Sequence, residues 1–225
     1  MLRYPCLVLD HDDTVVDSEA SVNYPCFLLS MKHFRPGTHM DPITFSRWCF
    51  DPGFEALLRQ YYGFTDQELE EEFQQWKDYS ASHIPAPCPG IREIILRQKA
   101  LGGKICVVSH SSRQNIRRDY QTHFGMEPDL IFSWEDPAPQ RKPNPYPLNK
   151  IMETFHLSPA QLLMVDDLKP GADMARQAGV EAAYAGWSHR DVPEISRRME
   201  ALCDYSFPDT QKFYRFLFED TVSTP

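Results

Sequence analysis

Residues 7–14 read Leu-Val-Leu-Asp-His-Asp-Asp-Thr, and this short stretch is the most informative part of the chain. Its apolar run is typical of a buried strand, which delivers Asp10 and Asp12 to the following loop. Two free carboxylates would repel and one would keep its proton, whereas a divalent metal lets one act as ligand and nucleophile and the other as acid and base. The stretch therefore indicates phosphoryl transfer. A helix cap or a solvated loop is the alternative, but a calcium loop is disfavoured because Val15 and Val16 follow where more oxygen ligands are needed.

Short apolar runs alternate with amphipathic stretches from about residue 88 onward. This alternation is typical of a parallel sheet covered by helices. The runs that predict strands are 7–9, 105–108, 130–132, 162–165 and 182–185. The stretches that predict helices lie near 91–100, 112–124, 145–155 and 171–178. The sequence therefore predicts an α/β protein with a Rossmann-like, doubly wound parallel sheet.

Residues 17–86 interrupt this rhythm with helical patterns alone. Helices are predicted near 21–33, from Asp41-Pro42 onward, around 54–62, and after the capping box Thr65-Asp66-Gln67-Glu68. We predict that residues 17–86 form an inserted α-helical cap domain, and that residues 1–16 and 87–225 form the core domain. The proline-rich stretch 85–90 would be the return linker, and the cap is expected to move as a lid.

Composition limits the classes of partner. The chain has 225 residues and a net charge of -9, which argues against a nucleic-acid groove. No apolar run approaches the roughly 20 residues of a membrane helix, and the first residues lack a signal-peptide pattern. The six cysteines are scattered without a Cys-x-x-Cys pair, which favours buried thiols over a zinc site or disulfides. We expect a cytoplasmic monomer or weak dimer that binds a small molecule, with neither nucleic acid nor a membrane as partner.

Ligands of an open parallel sheet lie beyond the carboxyl ends of its strands, and polar groups follow three further predicted strands. Ser109 follows the second strand, where a hydroxyl and backbone N–H groups ahead of a helix can hold an anion. Lys142 follows the third, before a proline that holds it extended and can aim its ammonium group inward. Asp166 and Asp167 follow the fourth and offer oxygens suited to Mg²⁺. Taken singly, each has a simpler interpretation as a helix cap or a solvated charge.

These four elements, Asp-x-Asp-x-Thr, strand-Ser, Lys-Pro-x-Pro and strand-Asp-Asp, together resemble the four signature motifs of the haloacid dehalogenase-like superfamily. The resemblance covers nearly the whole chain. It is closest to the subgroup with a helical cap after the first motif (C1), which includes phosphoglycolate phosphatase-like enzymes and β-phosphoglucomutase. Dehalogenase and phosphonatase relatives lack the second carboxylate of the first motif, so both of those activities are disfavoured.

The resemblance implies roles for the acidic residues. Asp10 would be the nucleophile and a Mg²⁺ ligand. Asp12 would be the general acid and base and would offer its backbone carbonyl to the metal. Asp167 would be the third protein ligand, with Asp166 helping directly or through the outer shell. Many relatives have glycine where this chain has Asp13, which adds a charge beside the metal site.

The resemblance also implies a phosphate site and leaves specificity to the cap. Ser109, with His110, would bind the transferring phosphoryl group, and Lys142 would neutralise that group and the nucleophile. His11 is unusual enough in this motif to be a candidate for specificity or pH tuning. Candidates in the cap are Arg47 above all, with other cations and apolar walls at Lys32, His33, Arg35, Trp48 and Phe50.

The expected function is a Mg²⁺-dependent phosphatase that hydrolyses a small soluble phosphomonoester through a phospho-aspartyl intermediate. One alternative is a phosphomutase of the β-phosphoglucomutase type, which differs in cap closure and water exclusion. A catalytically idle binding protein on the same fold is an alternative from another class, but it usually lacks a catalytic group, and none is missing here.

Overall fold

The computed structural model describes residues 2–219. Its strands are β1 (Cys6–Leu9), β2 (Lys104–Val108), β3 (Leu130–Phe132), β4 (Leu162–Asp166), β5 (Glu181–Ala185) and β6 (Tyr205–Phe207). Its helices are α1 (Tyr24–Phe34), α2 (Pro42–Phe50), α3 (Phe54–Ala56), α4 (Asp66–Ser82), α5 (Ile91–Ala100), α6 (Arg113–Phe124), α7 (Tyr146–Phe155), α8 (Lys169–Ala178), α9 (Pro193–Leu202) and α10 (Thr210–Phe218). Within residues 2–219, no helix is both long enough and apolar enough to span a membrane.

The strands form one parallel sheet in the order β3-β2-β1-β4-β5-β6. Alternate residues of a strand point to opposite faces, so both faces of this apolar sheet need a cover. Leu7 and Leu9 of β1 pack in a cluster with α5, α6 and α10, whereas Cys6 and Val8 pack in a cluster with α7, α8 and α9. The predicted doubly wound α/β fold and its five strands are therefore confirmed, and β6 adds a sixth.

The strand order brings the predicted site residues to one edge. β1 lies between β2 and β4, and the amide of Asp10 donates to the carbonyl of Val165 at 2.8 Å, which extends the β1–β4 pairing by one residue. The loops after these three central strands therefore start side by side at the carboxyl edge of the sheet.

Helices α1–α4 pack around an apolar cluster of their own, which includes Phe27, Met31, Phe45 and Leu57. The predicted capping box at the start of α4 is present: the amide of Glu68 donates to the Thr65 hydroxyl, and the Glu68 carboxylate accepts from the Thr65 amide at 2.8 Å. Asp41 caps α2 in the same way by accepting from the amide of Thr44 at 3.0 Å. The four helices predicted in this segment are confirmed.

The two linkers of this helical segment lie against each other. The amide of Asp17 donates to the carbonyl of Ala86 at 2.9 Å, and the amide of Cys88 donates to the carbonyl of Val15 at 2.9 Å. The chain thus leaves and re-enters the core at one point. The domain boundaries at 16/17 and 86/87 stay a prediction.

Candidate active site

Three buried carboxylates meet at the carboxyl edge of the sheet. Asp10 follows β1, Asp166 ends β4 and Asp167 follows it. Each offers one oxygen, and these oxygens lie within 4.8 Å of one another. A cluster of three carboxylate oxygens at this spacing fits a hard divalent cation such as Mg²⁺.

Lys142 lies against two of these carboxylates. It is buried in the loop between β3 and α7, and its Nζ lies 2.8 Å from Oδ1 of Asp10 and 2.7 Å from Oδ2 of Asp166. The second oxygen of Asp166 accepts from the amide of Leu168 at 2.8 Å. Burial of Asp10 would raise its pKa, but the charge and hydrogen bond of Lys142 outweigh burial and hold the pKa below its ordinary value.

The other carboxyls of the site, those of Asp12, Asp166 and Asp167, need further positive charge to stay ionised. Burial raises the pKa of Asp12 and Asp167, and it raises the pKa of Asp166 well above its ordinary range. One lysine cannot keep four neighbouring carboxyls ionised. A bound divalent cation would supply the missing charge, and the all-oxygen donor set is the type that Mg²⁺ prefers.

Two side chains that received no role in the sequence analysis orient Asp167. The Thr14 hydroxyl donates to Oδ1 of Asp167 at 3.1 Å, and Nε2 of His189 lies 2.7 Å from Oδ2. His189 is itself buried, and Asp167 raises its pKa against the opposing effect of burial. The signal that could have found His189 is its position just after the fifth apolar run.

Gly171 lets helix α8 approach Asp166 closely. A Cβ atom at this position would lie 2.1 Å from Oδ2 of Asp166, which is the oxygen that Lys142 binds. Only glycine leaves room for the carboxylate at this point of the helix. Gly171 therefore belongs to the site although its side chain carries no chemistry.

Asp13 occupies a left-handed backbone conformation with φ 56°, a region that glycine adopts more readily than other residues. Its carboxylate is buried and accepts from the amide of Glu19 with both oxygens at 3.1 Å. Burial and the neighbouring charge of Asp167 raise the pKa of Asp13 well above its ordinary value. Asp13 thus ties the loop to the start of the helical segment.

The predicted phosphate-binding residues lie beside the carboxylates. The Ser109 hydroxyl accepts from the amide of Ser111 at 3.1 Å, which makes a turn after β2. Nε2 of His110 lies 3.0 Å from the carbonyl of Lys142 and donates to it. Burial and the positive charge of Lys142 lower the pKa of His110 to about 4, so the imidazole is neutral at pH 7. His110 therefore holds the backbone of Lys142 and also lines the cavity, and its contact with the phosphoryl group stays a prediction.

One cavity of about 810 Å³ contains these groups. Asp10, Asp12, Ser109, Lys142 and Asp167 line it on the core side. Residues of the helical segment line its other walls, with Phe50 as the one predicted cap contact among them.

The structure does not bring His11 or Arg47 into this cavity. His11 is buried with Nε2 3.0 Å from Oδ2 of Asp119 and with its ring stacked on Tyr120. Arg47 is exposed and pairs with Glu194 of α9, because its position on α2 faces the core surface and not the cavity. The expectation that Arg47 faces the cavity, on which its role as the first specificity residue depended, is therefore wrong. His11 lies beneath the site and does not line the cavity.

The parallel sheet and the buried carboxylates beside Lys142 define a Rossmann-like α/β protein with a buried acidic cluster at the carboxyl edge of its sheet. The model of the haloacid dehalogenase-like hydrolase family matches residues 7–185, so the chain belongs to this family. The match runs from the first strand to the last residue of β5.

The chain is also similar to curated relatives and to solved structures. A phosphoglycolate phosphatase of Vibrio vulnificus (strain CMCP6) is 27% identical over 113 residues, which are 50% of this chain and 48% of that protein. The match therefore spans about half the length of this relative. The pyrophosphatase PpaX of Halalkalibacterium halodurans is 23% identical over 82% of this chain and 84% of its own. A crystal structure described as a "predicted phosphoglycolate phosphatase" from Haemophilus somnus 129PT has a TM-score of 0.74 at 18% identity, and covers 96% of this chain and 99% of its own, which shows the shared fold.

Proposed function

We propose that this protein is a Mg²⁺-dependent phosphatase that hydrolyses a small phosphomonoester through a phospho-aspartyl intermediate. The observation that carries the proposal is the position of Lys142, which lies within 2.8 Å of both Asp10 and Asp166 in a buried site. A buried ammonium group next to a carboxylate nucleophile is placed to neutralise an incoming phosphoryl group. Names of relatives, including phosphoglycolate phosphatase, support the same reaction class.

Asp10, Asp166 and Asp167 would hold the metal ion. When bound, the ion supplies positive charge that offsets the phosphate dianion and the surrounding carboxylates. Thr14 and His189 hold Asp167 in its orientation, and Gly171 leaves room for Asp166.

The two carboxyls of the first loop divide the proton chemistry. Asp10 has the lowered pKa and stays ionised, so one of its oxygens attacks phosphorus while the bond from phosphorus to the ester oxygen breaks. Asp12 has a raised pKa and can hold the proton that the leaving alcohol receives. Asp12 then accepts a proton from the water that attacks the phosphoryl group, and the bond between phosphorus and Asp10 breaks to release phosphate and the free carboxylate.

Lys142 and Ser109 would bind the equatorial phosphoryl oxygens, with His110 holding the backbone of Lys142. All six cysteines are free thiols, which suits the reducing cytoplasm. We infer a cytoplasmic enzyme, a monomer or weak dimer, whose partner is a small phosphate ester.

Hydrolysis of p-nitrophenyl phosphate tests this function. We expect turnover with Mg²⁺, none with EDTA, and loss of turnover in Asp10→Asn. Asp191→Asn is the matched control, because it removes the same charge from an exposed position. Intact-mass spectrometry of acid-quenched enzyme should show a phosphoryl adduct in wild type and not in Asp10→Asn. Full activity in EDTA or in Asp10→Asn would refute the proposal.

A further inference from the structure

The cavity extends from the carboxylates into the helical segment, and its far walls are aromatic. On α4, the residues Leu69, Phe73 and Trp76 follow helical spacing and form one stripe that lines the cavity. Phe73 and Trp76 are nearly parallel, with ring centroids 5.8 Å apart. Phe45 and Phe54 line the cavity from α2 and α3, and their centroids lie 6.0 Å apart. Flat rings on different walls favour a flat apolar guest.

Aromatic contacts link this stripe to the phosphate end of the site. The Phe73 ring lies 6.5 Å from the ring of Trp134, which belongs to the loop after β3. The Trp134 ring lies 5.6 Å from the imidazole of His110, the residue that follows Ser109. A leaving group attached to a phosphate at Ser109 therefore meets aromatic surface along this side of the cavity.

The charges on the helical-segment side of the cavity disfavour a second anion. Apart from the thiol of Cys49, its ionisable cavity-lining side chains are five carboxyls and one guanidinium, namely Glu19, Glu55, Asp66, Glu70, Glu72 and Arg59. Arg59 is already paired, 2.7 Å from Glu55 and 2.6 Å from Asp66. A carboxylate or second phosphate on the leaving group would meet excess negative charge with no free cation among these lining residues.

Glu72 is the polar group set within the aromatic stripe. It is buried at 5% exposure, and the hydrogen-bond partner that the structure gives it is the Ser30 hydroxyl, 3.4 Å from Oε1. A buried carboxyl beside Phe73 and Trp76 offers an acceptor to a donor or cationic group that stacks on those rings.

We propose that the substrate is the phosphate monoester of an aromatic alcohol that carries no second anionic group, and that Glu72 accepts from a hydrogen-bond donor or protonated amine on that aromatic group. This rests on the proposed phosphatase function and specifies its substrate class. It departs from substrates such as phosphoglycolate, because Arg59, the one cation that lines the cavity among the described residues of the helical segment, is already paired with Glu55 and Asp66.

A matched series of esters tests the substrate class. Benzyl phosphate, 4-(aminomethyl)benzyl phosphate and 4-carboxybenzyl phosphate share one type of leaving alcohol and differ in charge at the far end of the ring. We expect kcat/KM for benzyl phosphate to exceed that for phosphoglycolate at least about tenfold, as burial of one phenyl ring allows. We expect the aminomethyl ester to be the best of the three and the carboxy ester the worst. Equal or better turnover of phosphoglycolate, or no charge discrimination within the series, would overturn the inference.

Glu72→Gln and Glu71→Gln are a matched pair for the role of the buried carboxyl. Both remove one negative charge from adjacent positions of α4, but Glu71 is exposed. Assays at pH 8 keep Glu72 ionised, since burial raises its pKa to about 7. Glu72→Gln should lower the aminomethyl-to-carboxy ratio of kcat/KM about tenfold, and Glu71→Gln should leave it unchanged. Equal effects of the two variants would show that general charge, and not Glu72, sets the ratio.

Turnover of p-nitrophenyl phosphate distinguishes an error in the proposed substrate class from an error in the proposed phosphatase function. An Asp10-dependent phosphatase that prefers phosphoglycolate would refute the substrate class alone. An enzyme that hydrolyses none of these esters in Mg²⁺ would refute the proposed function, and the substrate class with it. Binding of the non-hydrolysable benzylphosphonate by calorimetry gives a readout independent of turnover. We expect it to bind wild type more tightly than it binds Trp76→Ala, and equal affinity would count against the aromatic wall.

Discussion

Glu72→Gln should stabilise the protein, and the gain should depend on pH. The carboxyl of Glu72 is buried, and burial raises its pKa from 4.5 to about 7. In the unfolded chain the same carboxyl ionises near its ordinary pKa. Below pH 4.5 the group is neutral in both states and costs the fold nothing. As the pH rises toward 7, the unfolded chain gains from ionisation and the folded protein does not, so stability falls through this window.

The size of the effect follows from the separation of the two pKa values. Each tenfold difference in proton affinity is worth about 1.4 kcal/mol, so the cost of the ionised carboxyl to the folded state approaches about 3.5 kcal/mol well above pH 7. Glutamine has nearly the same shape and no charge to bury. The advantage of Glu72→Gln in unfolding free energy should therefore grow by up to about 3 kcal/mol between pH 4.5 and pH 8.5.

Urea unfolding at a series of pH values measures this difference. Tryptophan fluorescence is a suitable signal, because Trp76 lies on the same helix and its indole N–H donates to Asn23 at 3.0 Å. The control is Glu71→Gln, whose exposed side chain should give less than about 0.5 kcal/mol at any pH. A gain that is constant with pH, or that is larger at pH 4.5, would refute the burial argument.

Four further outcomes are expected. Asp12→Asn should slow turnover yet accumulate phosphoenzyme with p-nitrophenyl phosphate, whose leaving group needs little protonation; rapid-quench mass spectrometry measures this, and absence of the adduct would count against the proton role. Gly171→Ala should lower kcat about a hundredfold by displacing Asp166, with circular dichroism as the check that the fold persists, and near-normal kcat would show that the helix can shift. Arg47→Ala should leave the ranking of the benzyl esters unchanged, since Arg47 pairs with Glu194 outside the cavity; an altered ranking would contradict this placement. Ca²⁺ in place of Mg²⁺ should inhibit turnover because of its larger, irregular coordination shell, and equal rates with the two ions would argue against a tight octahedral site.

The sequence predicted the sheet well because its central strands are continuous apolar runs, buried on both faces. It did not reveal β6, whose three residues Tyr-Ser-Phe include an exposed serine and lie at the sheet edge. Helices α9 and α10 also lay beyond the predicted pattern, although each is amphipathic and buries residues three or four positions apart, because the predicted alternation extends only as far as the fifth strand. A three-residue, half-exposed strand such as β6 carries too little periodicity to be distinguished from a loop.

The candidate site was predictable where a residue directly follows a strand. Asp10 and Asp167 come together because neighbouring parallel strands end at one edge. The pairing of His189 with Asp167 could not be read from spacing, because it depends on how the loop after β5 folds back. The misplacement of Arg47 has a similar cause: α2 has apolar residues on several sides, so its pattern does not determine which face meets the cavity.

The linkers at residues 15–17 and 86–88 lie side by side, and this arrangement would allow the helical segment between them to be replaced by another. The points at which the chain leaves and re-enters the core are hydrogen-bonded to each other. A short turn could therefore join them without disturbing any strand of the sheet. We therefore expect that a helical segment of another shape can be grafted at this junction while the carboxylate chemistry persists. The residues of the core would then determine the reaction type, and the grafted helical segment would determine which substrate is accepted.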